Sequence, residues 1–400
     1  MYKFKKEEIM LLIIECLKIS VGIFTGPFLV AFFIKSKIDN IYLYAFYNIV
    51  AYASAAIFSF IVSAYIKRRN KMFALRLGIV SNIIYLLLLL YLSNRIMNYT
   101  WLIGLFYGLG LGSYYMPYNY LIANEIRDNK LKSWYGYKTA ISNTLQVIIP
   151  LVVGFLLMKY NYSEVAILFV VIQLINLFLS FTFKVDSKKT TKFSIKKYKE
   201  AIKDHGLERY FKVNHMIEFL TGFAISNSAL GTLITLYVVK MFKTNSNLGI
   251  FTSIFMMINV ILSYLFATRA KESKFGKYMF ISGTLITISI LLFMFKTNKF
   301  TLILYNLVYN VGAAMMVLIV QILNMKVAKY KVIKRNYQLE HLSVREFYLC
   351  LGRVVGFSLL IIAGFFKEEY LFKILILIYS ISFLLLSAFT LKHLKEEEGL

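Results

Sequence analysis

The chain has 400 residues, of which 59% are hydrophobic and 16% charged, and its formal net charge is +26. Phenylalanine and tyrosine number 35 and 30, far more than the core of a water-soluble protein needs. This composition excludes an ordinary soluble globular protein and indicates a chain that lies in a lipid bilayer.

Apolar stretches of about 20 residues, the helix length that crosses about 30 Å of hydrocarbon, recur along the whole chain. They predict an all-α polytopic membrane protein with twelve transmembrane helices. The predicted spans are 9–34, 41–66, 74–93, 100–124, 135–158, 164–184, 211–240, 246–267, 278–296, 300–324, 346–366 and 371–391.

The positive charge is distributed unequally between the two sides of the predicted bundle. About 32 of the 46 lysines and arginines fall on the side that carries both termini, and about ten fall on the other side. This imbalance follows the positive-inside rule and predicts cytoplasmic termini. It assigns the excess charge to topology and argues against a nucleic-acid partner. The richness in Lys, Ile and Asn, with short loops, favours a bacterial inner (plasma) membrane.

The two halves of the sequence resemble each other at an offset of about 203 to 210 residues. Glu15 corresponds to Glu218, each within an apolar stretch, and Ala64 corresponds to Ala267. Such order over six helices is typical of duplicated transporter folds. We therefore predict an N-terminal six-helix bundle over 1–184, a basic cytoplasmic linker over 185–210 and a C-terminal six-helix bundle over 211–400.

The linker contains a dense run of lysines. A charge-rich solvated segment is the plainer interpretation. A short amphipathic helix at about 198–208, lying against anionic headgroups, is the alternative, and the two are compatible.

Residues 63–71 read Ser-Ala-Tyr-Ile-Lys-Arg-Arg-Asn-Lys. This stretch resembles the Gly-x-x-x-Asp-Arg-x-Gly-Arg motif between helices two and three of the major facilitator superfamily. Arg68 and Lys71 fit the motif, whereas Ser63, Lys67 and Asn70 replace its glycine, aspartate and second glycine. The twelve helices, the two halves and the basic central loop complete the resemblance, and 345–353 looks like poorly characterised bacterial members.

The resemblance implies a fold in which the first helix of each half lines a central cavity, where carboxylates commonly carry protons. It implies this role for Glu15 and Glu218, and a gating role for the loop residues Arg68 and Lys71. The motif aspartate, which usually bonds a neighbouring helix end, is Lys67 here.

Ionisable residues inside the predicted spans are independent evidence for a functional site, because charges in hydrocarbon are costly and usually mark transport pathways. A rise of 1.5 Å per residue places Glu15 roughly 9 Å and Lys18 roughly 13 Å into the first helix. Together with Glu218 and Arg353 they are the predicted proton-coupling and cavity residues. A structural ion pair or side chains that reach the interface is the alternative. Lys138 is expected to lie too near the inner surface to take part.

Uncharged polar residues in three spans are candidate substrate contacts. They are Tyr115, Asn119, Asn227, Asn306, Tyr309 and Asn310. Any one of them can instead join two helices by a hydrogen bond of about 1 kcal/mol. Gly104, Gly108 and Gly112, at four-residue spacing, predict close helix packing.

Nothing in the sequence indicates an enzyme, a cofactor or a metal site. The four histidines lack ligand spacing, both cysteines lie in predicted helices, and a phosphate-binding glycine loop is missing. We therefore expect a monomeric secondary transporter that moves a small molecule by alternating access and is coupled to protons. The sequence does not decide between import and efflux. The alternatives are a lipid or glycolipid flippase, or a non-transporting receptor or assembly factor with a collapsed interior and a permanent Glu15–Lys18 pair.

Overall fold

The computed structural model describes residues 5–36, 41–127, 130–183, 192–225, 228–242, 245–366 and 369–398. Within these ranges the chain forms α-helices, two 3₁₀ helices (Ser93–Tyr99 and Glu272–Lys274) and no β-strand. The helices are α1 (Lys6–Thr25), α2 (Pro27–Ser36), α3 (Ile41–Ile66), α4 (Lys71–Leu92), α5 (Thr100–Glu125), α6 (Leu131–Leu156), α7 (Tyr162–Thr182), α8 (Ile195–Asp204), α9 (Glu208–Ala224), α10 (Ala229–Phe242), α11 (Asn245–Arg269), α12 (Phe275–Phe295), α13 (Lys299–Ala328), α14 (Lys331–Asn336), α15 (Gln338–Phe366) and α16 (Glu369–Glu398).

Ten helical stretches in the described part of the chain are long and apolar enough to cross a bilayer. Helices α5 and α11, with 26 and 25 residues, also have sufficient length but are outside these ten. Glycine, tyrosine and asparagine dilute the apolar character of α5. Both helices occupy predicted spans, so the all-α polytopic membrane fold is confirmed.

Helix contacts repeat between the two halves of the chain. In the first half α1 packs on α6 and α7, while α3 and α4 pack on α5; in the second, α9 packs on α15 and α16, while α11 and α12 pack on α13. Between the halves, α3 packs on α15 and α6 packs on α11. This symmetric pattern supports the two-bundle division at 184 and 211, which stays a prediction.

We call the end of the bundle where α1 begins and α16 ends the terminal side, and the opposite end the far side. Lys130 Nζ lies 3.7 Å from Glu8 Oε2, and Arg209 Nε lies 2.8 Å from Glu396 Oε1. These pairs place the starts of α6 and α9 on the terminal side as well.

The alternative interpretation of the linker, a short amphipathic helix at about 198–208, has a counterpart in α8 at 195–204, and the apolar face of α8 contacts protein. Tyr198 and Ile202 are buried, and the Tyr198 hydroxyl lies 3.1 Å from Nδ1 of His341 in α15. Residues 185–191 of the predicted linker lie outside the described ranges. From 195 to 204, the segment is therefore a docked helix with charged residues on its outer face.

The predicted close packing at the helix-four glycines is confirmed. A Cβ on Gly108 would lie 2.0 Å from Ser54 Oγ and 2.1 Å from the Ala51 carbonyl oxygen, both in α3. A Cβ added to Gly104 or Gly112 would likewise lie 2.7 Å from a backbone oxygen of α3. Only a residue without a side chain lets α5 approach α3 so closely.

Candidate functional site

The first long helix of each half is broken at equivalent positions. Pro27 ends the hydrogen-bond ladder of α1, because proline has no N–H and disfavours helical backbone at the preceding residue, and α2 begins there. Helix α9 ends at Ala224 and α10 begins at Ala229, which follows Gly26 by 203 residues. Discontinuous helices near the midplane are a recurring feature of transporter binding sites.

A cavity of about 310 Å³ lies between these two breaks. Its lining residues are Gly22, Thr25, Gly26, Val30, Tyr44, Tyr47, Asn48, Tyr52, Tyr107, Ile225, Ser228, Gly231, Thr232, Thr235, Tyr309 and Phe357. The volume suits a small molecule. Aromatic rings and hydroxyl groups dominate the wall, and none of the described lining residues is charged. The charged residues assigned to the cavity from sequence therefore stand outside its immediate wall.

Glu15 is buried in α1 and has two partners. Lys138 Nζ of α6 lies 3.0 Å from Glu15 Oε1, and the Tyr114 hydroxyl of α5 donates to Glu15 Oε2 at 3.1 Å. Lys138 also lies near the rings of Trp134 and Tyr118. The expectation that Lys138 is too near the surface to take part is wrong, because α6 begins at Leu131 and carries this lysine two turns into the bundle.

Lys18 lies one turn beyond Glu15 but does not pair with it. Its ammonium donates to Asn82 Oδ1 of α4 at 2.9 Å and lies 5.6 Å from the centroid of the Tyr107 ring. Because Tyr107 lines the cavity, Lys18 stands directly behind the cavity wall. The alternative considered from the sequence, a structural ion pair between Glu15 and Lys18, is therefore wrong for the described structure.

Glu218 of α9 is fully buried and accepts a hydrogen bond from Arg345 Nε of α15 at 3.0 Å. Two glycines at the helix crossing allow this approach: a Cβ on Gly222 would lie 1.9 Å from the Leu349 carbonyl oxygen. A Cβ on Gly352 would lie 2.0 Å from a backbone oxygen of α9. Sequence reasoning placed Arg345 in a loop, since the span was predicted to start at 346, whereas α15 begins at Gln338.

The two ion pairs are related by the internal repeat. Glu15 and Glu218 are 203 residues apart, and Lys138 and Arg345 are 207 apart. Each pair joins the first long helix of its half to the helix that packs beside it, α6 or α15, and both distances are 3.0 Å. The duplicated carboxylates therefore belong to two equivalent acid–base pairs.

Arg353 connects the two halves. Its guanidinium lies 4.7 Å from the ring centroid of Tyr52, a cavity-lining residue of α3. On its own helix it interacts with Glu346 and Cys350. Arg353 and Lys18 are thus two cations placed behind tyrosines of the cavity wall, one in each half.

The candidate substrate contacts lie in different environments. Tyr309 lines the cavity, whereas Tyr115 stands edge-on to Tyr114 at 5.2 Å and Asn119 is half-buried one turn further along α5. Asn306 donates to the backbone of its own helix. Asn227 lies outside the described residues.

Asn310 belongs to a hydrogen-bonded chain between helices. Asn143 Nδ2 of α6 donates to Asn259 Oδ1 of α11 at 3.0 Å, and Asn259 Nδ2 donates to Asn310 Oδ1 of α13 at 3.2 Å. This chain crosses between the halves. For Asn310 the helix-joining alternative describes the observed contact.

The predicted gating loop contacts the second half through residues that depart from the motif. Lys67, which replaces the aspartate, forms a buried ion pair with Glu340 of α15 and donates to the Asn336 carbonyl oxygen at 2.8 Å. Ser63, which replaces the glycine, accepts from Ser343 Oγ at 2.7 Å. Of the two motif matches, Arg68 is exposed, while the Lys71 ammonium lies 4.6 Å from the centroid of the Tyr120 ring.

The terminal side is closed between the halves by these bonds. Asn124 Nδ2 of α5 donates to Gln338 Oε1 of α15 at 2.7 Å, and the Lys329 ammonium donates to the Ile126 carbonyl oxygen. Sequence reasoning identified Lys67 as the replacement of the motif aspartate but did not predict its pairing with Glu340. The signal for Lys67 was the inverted charge at the motif aspartate position, which calls for an acidic partner.

Comparison with protein families gives a match to the Major Facilitator Superfamily over residues 127–356. The uncharacterised protein YqgE of Bacillus subtilis (strain 168) is 24% identical over 335 residues, which cover 81% of this chain and 75% of that protein.

Solved structures with the same fold include a bacterial homologue of the iron transporter ferroportin in an outward-facing state, with a TM-score of 0.71, 15% identity and coverage of 98% of this chain and 100% of that chain. The xylose transporter XylE from E. coli has a TM-score of 0.67, 13% identity and coverage of 96% and 99%. The human organic anion transporter MFSD10 has a TM-score of 0.67, 12% identity and coverage of 96% and 100%.

Proposed function

The chain belongs to the Major Facilitator Superfamily, and from this premise we propose that it is a proton-coupled secondary transporter of a small molecule, working by alternating access. The fold is that of a transporter and not of an enzyme. The substrate binds in the cavity between the broken helices, and two bundles rock about it.

One observation carries the proton-coupling part of the proposal: the two equivalent acid–base pairs, whose carboxylates lie about two turns before the cavity-lining residues Gly22 and Ile225. Protonation of Glu15 removes its attraction for Lys138, and protonation of Glu218 removes its attraction for Arg345. Each event loosens the bond between two helices of one half. Gly22 and Thr25 of α1 and Ile225, directly after α9, line the cavity, so a change in either pair alters the shape of the binding site.

The direction of opening follows from the terminal-side contacts. The Lys67–Glu340 ion pair and the Ser63–Ser343 hydrogen bond join the halves there, so the cavity is closed toward that side. Transport requires these bonds to break while contacts near the far side form. On the positive-inside rule we place the terminal side in the cytoplasm. The richness in Lys, Ile and Asn, with short loops, supports a bacterial inner membrane as part of the same proposal.

The non-transporting alternative predicts a collapsed interior with Glu15 bound to Lys18. The structure instead has a cavity of about 310 Å³, and Lys18 is bonded to Asn82. This observation favours the transporter. A lipid or glycolipid flippase on the same fold would reveal itself by scrambling a fluorescent lipid in vesicles that contain the purified protein.

The proposal is tested with purified protein in vesicles loaded with a pH-sensitive dye. Panels of sugars, organic anions and organic amines are added in turn, and substrate-induced proton flux is recorded. A compound that drives proton flux with the unaltered chain should fail to do so with Glu15→Gln or Glu218→Gln. Glu272→Gln is the matched control, because Glu272 forms an exposed ion pair with Lys326.

Substrate uptake driven by an imposed pH gradient, at equal rates in the unaltered chain and in both buried variants, would remove the proton role. Uptake that needs no gradient in any variant would leave a facilitator that moves substrate down its own concentration gradient.

A further inference from the structure

A second cavity, of about 430 Å³, lies on the terminal side among α3, α8, α9 and α15. Its lining residues are Phe60, Ile195, Tyr198, Lys199, Ile202, Glu208, Phe211, Lys212, His215, Val344, Phe347 and Tyr348. None of them lines the central cavity. The pocket is therefore a separate candidate site.

The pocket has an apolar wall and a charged rim. Phe60 and Phe347 meet edge to face at 6.3 Å, and Phe347 remains 41% exposed, so the apolar wall continues to the surface of the helix bundle. Lys199, Lys212 and Glu208 are exposed at the rim. This arrangement matches an amphiphile with a charged head and a hydrocarbon tail.

A buried polar atom also points to a ligand. His215 lines the pocket and stacks on Tyr348 with 4.6 Å between ring centroids. Its Nε2 atom is buried and has no hydrogen-bond partner within the part of the chain that the structure describes. An N–H at this position can donate to a phosphate oxygen held by the two lysines.

The excess of basic residues around the pocket favours a ligand with a negatively charged head group. Exposed Lys196, Lys197 and Lys203 lie on the same helix as Lys199 and outnumber its two acids, Glu200 and Asp204. Basic residues at a membrane surface attract anionic lipid head groups. Glu208 at the rim is suited to accept hydrogen bonds from head-group hydroxyls.

We propose that this pocket binds an anionic phospholipid with a hydroxyl-bearing head group. The phosphate binds Lys199, Lys212 and the free His215 nitrogen, and one acyl chain lies along Phe60 and Phe347. The ligand is a lipid of the surrounding leaflet and not a transported molecule.

Lipid binding at this pocket also acts on the terminal-side closure, a step that rests on the proposed function. Tyr198 of α8 lines the pocket and bonds His341, and the Ser194 N–H at the start of α8 donates to Glu340 Oε1 at 3.0 Å. Glu340 is the partner of Lys67. A bound lipid holds α8 in place and thereby supports the carboxylate that closes the terminal side.

The test uses the full chain in detergent micelles and native mass spectrometry with phosphatidylglycerol or phosphatidylethanolamine of equal chain length. The unaltered chain should retain one phosphatidylglycerol and bind phosphatidylethanolamine more weakly. Lys199→Gln with Lys212→Gln should weaken phosphatidylglycerol binding roughly 25-fold, at about fivefold for each lysine. Lys196→Gln with Lys203→Gln is the matched control, because it removes the same charge from residues outside the pocket lining.

Equal weakening by both double variants would overturn the proposal, since attraction by general surface charge would then explain binding. Equal affinity for the two lipids would overturn it as well. Phe347→Ala, which keeps the charge, should weaken binding of lipids with full acyl chains and leave a short-chain analogue unaffected.

The regulatory step has its own readout, the distance between spin labels at Arg68→Cys and Lys334→Cys. Phosphatidylglycerol should shorten this distance in the labelled chain with an intact pocket. It should leave the distance unchanged in the labelled chain that also carries Lys199→Gln and Lys212→Gln. Specific lipid binding with an unchanged distance would overturn the regulatory step alone. Binding is measured without transport, so a failure of the proposed transport function would be seen separately.

Discussion

The Lys67 ammonium and the Glu340 carboxylate form a buried ion pair that joins α3 of the first half to α15 of the second. Removing one partner of a buried pair leaves the other charge unpaired, at a cost of about 3 kcal/mol. Lys67→Gln should therefore shift the ratio of terminal-side closed to open states about 100-fold toward open. Spin labels at Arg68→Cys and Lys334→Cys, in a chain with Cys16 and Cys350 replaced by serine, should report longer distances.

The exchanged pair, Lys67→Glu with Glu340→Lys, is the critical comparison. It restores the attraction but loses the bonds to the Asn336 carbonyl and from the Ser194 N–H, so closure should recover only in part. Arg69→Gln removes a neighbouring exposed charge and should leave the distance unchanged. If the exchanged chain is as open as the single variants, attraction between these two residues does not close the terminal side.

Lys138→Gln should destabilise the protein by about 3 kcal/mol, because the buried Glu15 carboxyl group would lose its ion-pair partner. The lower part of the usual range applies, since the Lys138 side chain is 15% exposed. The double variant Lys138→Gln with Glu15→Gln should regain most of this stability, because two neutral amides can bond each other. Thermal unfolding in detergent measures both effects. A double variant less stable than Lys138→Gln would show that the two residues do not act as a pair.

The sequence predicted the helices and the duplicated carboxylates for a clear physical reason. A helix that crosses the hydrocarbon of a bilayer needs about 20 mostly apolar residues, so a carboxylate within one, such as Glu15 or Glu218, is easily recognised in the sequence. Their partners were harder to find because they lie on helices distant in the sequence. Lys138 and Arg345 lie close to the starts of the predicted spans 135–158 and 346–366, where a boundary error of a few residues decides whether a charge is placed in the bundle or at its surface.

Most residues that line the cavity could not be predicted from the sequence. Its wall consists of uncharged residues such as Tyr44, Tyr107 and Thr232, whose types are common throughout this chain. Among the predicted contacts, Tyr309 lines the cavity while Asn310, one residue later, bonds another helix. A helix turns by about 100° per residue, so neighbours face different surroundings, and residue type alone does not separate a binding role from a packing role.

The neighbours Tyr309 and Asn310 should behave differently when each is replaced by alanine. Tyr309→Ala removes a ring from the cavity wall and should raise KM for the substrate found in the proton-flux panel. Asn310→Ala breaks the bond to Asn259 and should lower stability by about 1 kcal/mol with KM unchanged within about twofold. A large rise in KM for Asn310→Ala, without loss of thermal stability, would show that Asn310 contacts the substrate.

Substitution of glycines by alanine should distinguish glycines that allow close helix packing from glycines that line the cavity. Gly108→Ala places a methyl group 2.0 Å from Ser54 Oγ and 2.1 Å from a backbone oxygen of α3, so the helices must move apart. Such overpacking costs about 1–3 kcal/mol, and more when backbone blocks the methyl group. We expect a lower unfolding temperature and reduced yield of folded protein.

Gly22 and Gly231 supply the contrast, because an added Cβ at either position has no atom within 4 Å and both residues line the cavity. Alanine at these sites should leave the unfolding temperature unchanged or raise it slightly, since alanine favours helix over glycine by up to about 1 kcal/mol. The same methyl groups narrow the cavity and should raise KM, most for the largest accepted substrate. Unaltered KM in both variants, with intact folding, would place the substrate elsewhere in the molecule.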